Sequence, residues 1–92
     1  MKKVTVELLE KFGAYQNELE YFVELDQEYS NPIKLCKKLK DDGKIEYLSW
    51  FSYFYCLDVE DIKDIRKYIT IPGWAYLYCL KVKDRPEVRR YI

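Results

Sequence analysis

Histidine is absent from all 92 residues, which removes Ser-His-Asp triads, Cys-His dyads and His-ligated metal sites. Glycine and proline are scarce at three each, which argues against a turn-rich all-β chain and against low-complexity linkers. Cysteine is odd in number, and Cys36, Cys56 and Cys79 are widely spaced without a C-x-x-C pair. A secreted chain this small compensates for its limited core with paired cysteines, so a reduced, cytoplasmic setting is expected. No basic-then-apolar leader is expected, because Met1-Lys2-Lys3 runs directly into Val4-Thr5-Val6-Glu7. No apolar run approaches the roughly 20 residues of a membrane span, and the uncharged stretch Tyr47 to Leu57 is too short for one. A glycine-rich phosphate loop is lacking as well.

What is present is a globular composition, 49% hydrophobic and 35% charged. A chain of this length fits one domain and not two. Its 16 basic and 16 acidic residues cancel, but they are unevenly placed. Residues 1–31 sum to minus four and residues 68–92 to plus three. Such a gradient can orient the chain on a charged partner, although ordinary solvated faces give the same pattern.

Stop signals divide the sequence into short helices. Thr5 can cap Val6 to Phe12, and Gly13, which tolerates positive φ, ends that helix. Asn17 with Glu20 three residues later has capping-box chemistry and opens a helix carrying Leu19, Tyr21, Phe22 and Leu25. Asn31-Pro32 sets a capping side chain before proline at the first helical position. That third helix puts Ile33, Leu35, Cys36 and Leu39 inside and Lys34, Lys37, Lys38 and Lys40 outside, and it ends at Gly43. Pro72 and Pro86 mark two later starts by the same logic. Sustained alternation and Asn-Gly or Asp-Gly hairpin signals are missing, so the fold class is all-α.

The most informative feature is an internal repeat. Tyr55-Cys56-Leu57-Asp58-Val59-Glu60-Asp61-Ile62-Lys63-Asp64-Ile65-Arg66-Lys67-Tyr68-Ile69 recurs 23 residues later as Tyr78 to Ile92. Eight of these 15 pairs are identical, against about one by chance, and Tyr53 against Tyr76 extends the match. Each unit should be two helices joined near Asp61 or Asp84, since Pro86 cannot sit inside a continuous helix. From Trp74 to Val82 the helix is apolar nearly all round, as a unit stacked between neighbours requires. In the preceding helix Ser49, Ser52 and Cys56 form a small-residue stripe where another helix can approach closely.

Trp74-Ala75-Tyr76-Leu77-Tyr78, followed by Val82-Lys83-Asp84-Arg85-Pro86-Glu87 and Tyr91-Ile92, resembles the short tandem two-helix repeats of many phage and bacterial proteins of unknown function. Val4-Thr5-Val6-Glu7-Leu8-Leu9-Glu10-Lys11-Phe12-Gly13-Ala14 looks like the opening module that often precedes those repeats. The copy at 55–69 departs from the pattern in lacking the turn proline, and Cys56 and Cys79 stand where alanine is usual. The resemblance implies a fold and a phage or mobile-element setting, but no catalytic residue.

Candidate chemistry is thin. Asp41-Asp42 beside Gly43 read as a solvated turn. Asp58, Asp61 and Asp64 at i, i+3 and i+6 can line one helix edge as a weak cation site, but capping and solvation fit that spacing better. Cys56 and Cys79 occupy equivalent places in the two units and read as small apolar filler rather than a redox pair. No enzyme, cofactor or metal is expected. Ten tyrosines against four phenylalanines is unusual for a plain core, since each phenol needs a partner or water. Tyr47, Trp50, Tyr53, Tyr55 and Tyr76 are therefore the candidate partner-binding surface, unless repeat stacking consumes those rings. Lys34, Lys37, Lys38 and Lys40, with Arg85, Arg89 and Arg90, are the candidate nucleic-acid contacts, which zero net charge disfavours.

The expected architecture is about six short helices: a helical module over 1–44, then stacked helical hairpins over 45–69 and 70–92. The expected function is non-catalytic binding of a protein. Given the resemblance and the size, the partner is a host protein occluded by a phage or mobile-element accessory protein, for instance an anti-defence inhibitor of the anti-CRISPR kind. A nucleic-acid-binding accessory protein and a structural or assembly module are the alternatives. Tyr91-Ile92 lie where a solenoid normally places a polar cap, which suggests self-association through the last unit.

Overall fold

Thr5 begins the first helix as its sequence suggests: its Oγ1 accepts a hydrogen bond from the Leu8 N–H at 3.1 Å. The computed structural model describes every residue from Met1 to Ile92. Helix α1 runs Val6–Lys11, and Gly13 at φ +91° turns the chain out of it. Helix α2 (Gln16–Val23) starts earlier than Asn17 predicts. Glu18 reaches back to accept the Tyr15 N–H at 2.8 Å, so the helix is capped from its third position and Asn17 lies inside it. A 3₁₀ turn, Gln27–Ser30, leads to α3 (Pro32–Asp41). Asn31 Oδ1 accepts from the N–H groups of Ile33 at 2.9 Å and Lys34 at 3.2 Å, and Gly43 closes the connection at φ +71°.

Helix α4 (Ile45–Asp58) is the axis of the molecule and packs against α3, α5 (Lys63–Arg66) and α6 (Pro72–Lys81). It buries eight of its 14 residues, so the charge-free stretch within it, Tyr47 to Leu57, is covered on several sides. The small-residue stripe is used in two places. Ser52 Oγ lies 3.6 Å from Cys36 Sγ of α3, while Ser49 Oγ donates to the Tyr68 carbonyl and accepts from the Thr70 N–H, both at 3.2 Å. One core of 18 buried residues extends from Val4 to Val88. No helix is long and apolar enough to cross a membrane.

The chain is all-α, with seven short helices and no strand; the seventh is the single turn α7 (Pro86–Arg89). The repeat is structural as well as sequential. Helices α4 and α6 end 23 residues apart at Asp58 and Lys81, and α5 and α7 start 23 residues apart at Lys63 and Pro86. Their entry residues, Ile62 (φ −108°, ψ 129°) and Arg85 (φ −113°, ψ 132°), share one conformation. Seven backbone hydrogen bonds, from Val59 N–H to the Tyr55 carbonyl through Ile69 N–H to the Arg66 carbonyl, have counterparts at the same offset. Proline is dispensable at this turn because a first helical residue has no intrahelical use for its N–H.

The two units differ in what covers them. Tyr53 is 2% exposed and Ile69 0%, whereas their counterparts Tyr76 and Ile92 are 53% and 56% exposed. Helix α6 buries only Ala75 and Tyr78, short of the all-round burial that its apolar sequence predicts. Its face towards α4 is packed, and its opposite face, with Tyr76 and Leu80, is open.

Candidate functional site

Glu46, Trp50 and Phe54 lie four residues apart on α4 and so share one stripe of that helix. Phe12 comes to the stripe from the end of α1, with ring centroids 5.7 Å from Phe54 and 6.3 Å from Trp50. Trp74 arrives from the first turn of α6, 5.9 Å from Phe54. The positive-φ turn at Gly13 swings Tyr15 and Glu18 over the other side. The result is an open groove of about 360 Å³ with an aromatic floor and with Glu18 and Glu46 at its rim. Glu18 is held by the Tyr15 N–H, while Glu46 and the Tyr15 ring are exposed. Aromatic faces and carboxylates together favour a cationic side chain, because ring quadrupole and carboxylate charge attract it alike.

The five aromatic residues singled out from the sequence are divided by the fold. Tyr47, Tyr53 and Tyr55 are core residues, Trp50 is half-buried in the groove, and Tyr76 is exposed on the far side of α6. Layer stacking therefore takes up three of them. The excess of tyrosine over phenylalanine has a structural use, since the hydroxyls of Tyr47, Tyr55 and the half-buried Tyr21 tie together distant parts of the chain. Tyr55 Oη donates to the Lys2 carbonyl at 2.7 Å, and Tyr47 Oη to the Glu18 carbonyl at 3.1 Å. Tyr21 Oη donates to Asp42 at 2.6 Å. Burial raises the pKa of each of these phenols above its ordinary value and so makes them weaker acids.

The most connected polar group is Asp61, for which the sequence suggested only capping or a weak cation site. Its carboxylate accepts from Tyr78 Oη at 2.9 Å, from Arg66 Nη1 at 3.1 Å and from Arg85 Nη2 at 3.2 Å. Arg85 Nε also donates to Tyr78 Oη at 2.9 Å, closing the network. Tyr78 and Arg85 belong to the second unit and Asp61 to the first, so the network fastens one layer to the next. Asp64 pairs instead with Lys67 at 3.8 Å, and no group of three His, Cys, Asp or Glu side chains is placed to hold a metal ion. A signal was present in the repeat: Arg85 stands where the first unit has Ile62, a charge gained only by the unit that has an Asp61 to meet.

The basic clusters are largely engaged. Lys34 lies 4.0 Å from Glu28, and Lys38 lies 3.5 Å from Asp42 and over the Tyr29 ring. Arg85 is taken by Asp61, Arg89 pairs with Asp84, and Arg90 donates to Tyr91 Oη at 2.7 Å while lying over its ring. Lys37 and Lys40 are exposed on α3. All three cysteines are free, and burial pushes the thiols of Cys36 and Cys56 up to about 12. No family model, curated protein or solved structure matches this chain.

Proposed function

We propose that this chain is a non-catalytic protein-binding protein whose aromatic groove receives a basic side chain of its partner. The observation that carries the reading is the groove between α1, α4 and α6, where Trp50, Phe54 and Trp74 meet Glu18 and Glu46 at an open surface. The excess of negative charge over residues 1–31 extends the same preference towards a basic partner surface. Aromatic anchors in a concave site are the residues that dominate protein interfaces. In keeping with the resemblance and the size, the partner is a host protein in the cytoplasm and the role is occlusion, as for a phage or mobile-element anti-defence inhibitor. Internal pairing of Arg85, Arg89 and Arg90 favours this reading over a nucleic-acid partner.

The test is affinity purification of the intact chain from its native host beside a Tyr15→Ala/Glu46→Lys variant. Both positions are exposed, so the variant keeps the fold. A host protein that co-purifies with the parent and is lost from the variant is expected. Equal capture by both, or a steeply salt-dependent gel shift with nucleic acid and no protein partner, refutes the reading.

A further inference from the structure

Inside the molecule, the end of the first unit shows what it takes to cover such a layer. Asp61 and Arg66 pair within the unit, and the second unit then lays Trp74 beside Tyr53 at 5.5 Å and brings Tyr78 Oη and Arg85 to the Asp61 carboxylate. The same half-finished arrangement recurs 23 residues on. Asp84 pairs with Arg89 as Asp61 does with Arg66, Tyr76 stands where Tyr53 stands, and Ile92 where Ile69 stands. Nothing covers this second copy. The Asp84 and Arg89 side chains are 50% and 63% exposed, against 21% and 11% for Asp61 and Arg66.

We propose that the exposed end of the second unit is a docking face for a two-helix layer of the same kind on another polypeptide, in which an incoming tyrosine hydroxyl and arginine guanidinium complete Asp84 as Tyr78 and Arg85 complete Asp61. The occupant is defined by the seam already present: an indole, a phenol four residues later and a guanidinium seven residues after that, as in Trp74, Tyr78 and Arg85. A second copy of this chain does not supply them, because its own Trp74, Tyr78 and Arg85 are already seated on its first unit. The groove between α1, α4 and α6 lies elsewhere on the surface, so two binding faces result. The identity of the other polypeptide rests on the protein-binding reading above, but the competence of the face does not.

The experiment extends the full chain directly after Ile92 with a copy of residues 70–92, preserving the 23-residue period. The added layer is expected to raise Tm by about 5 °C or more and to slow amide exchange in residues 78–92. Asp84→Asn should erase most of that rise in the extended chain yet leave Tm of the parent unchanged. Replacing the added counterparts of Tyr78 and Arg85 by Phe and Gln should have the same effect as Asp84→Asn. An added segment that exchanges like an unfolded peptide, an extended chain that precipitates where the parent is soluble, or equal effects of Asp84→Asn in both backgrounds overturns the proposal. None of these readouts depends on the groove, so Tyr15→Ala/Glu46→Lys losing its partner while the extension fails sinks only the docking face.

Discussion

Asp61 and Asp84 have the same residue type, the same place in the repeat and the same arginine five residues on, so Asp→Asn at each isolates what the tertiary setting adds. At Asp61 the substitution removes the charge that holds Arg66 and Tyr78. The Arg66 side chain is 11% exposed, and its Nε is already buried without a partner, so little water can replace the lost carboxylate oxygen. Hydrogen bonds to charged groups are worth about 1.5–3 kcal/mol each, and fully breaking a buried pair costs about 3–5 kcal/mol. Asparagine keeps one acceptor and Asp61 is partly solvated, so Asp61→Asn should destabilise the fold by about 2–3 kcal/mol. For a domain of this size that corresponds to a fall in Tm of roughly 10–20 °C. Asp84→Asn, on an exposed pair, should leave stability unchanged within error. Urea unfolding followed by the fluorescence of Trp50 and Trp74 provides both numbers, with equal m-values as the check on two-state behaviour. Equal losses at the two sites, or none at Asp61, would refute the claim that this network fastens the layers together.

Two further outcomes follow from the buried groups. Tyr47 and Tyr78 titrate above the ordinary tyrosine value of 10.0, chiefly through burial, so above that pH the unfolded chain binds fewer protons than the folded one. Stability should therefore be at its full value below pH 10 and fall as pH rises beyond it; tyrosinate absorbance that develops only together with loss of helical circular dichroism supports this, and free titration of every tyrosine in the folded state contradicts it. Cys79 should react first with a thiol reagent at neutral pH, while Cys36 and Cys56, buried and pushed up to about 12, stay unmodified until the chain unfolds. Intact-mass measurement over time distinguishes one added group from three.

Much of the helical layout is readable without coordinates because its signals are local. A side chain such as Asn31 caps its own helix, proline sets φ at Pro32, Pro72 and Pro86, and Gly13 and Gly43 adopt the left-handed turn that few other residues tolerate. The start of α2 shows the limit of such signals, since Asn17 with Glu20 has cap chemistry in sequence, yet the helix begins at Gln16 with Glu18 accepting the Tyr15 N–H. The groove is harder to read. Glu46, Trp50 and Phe54 announce a stripe, but Phe12, Tyr15 and Trp74 join it from segments far along the chain, and no periodicity within α4 encodes their arrival.

By itself, then, the amino-acid order determined the helices, the turns and the duplicated unit, since each of these depends on the conformational preferences of a few consecutive residues. Tertiary structure alone decided which matched pairs are covered in one copy and open in the other. Tyr53 lies in the core and Tyr76 in solvent, although they hold the same place in the repeat. Burial is a property of what lies alongside a residue, and α6 lies alongside only the first.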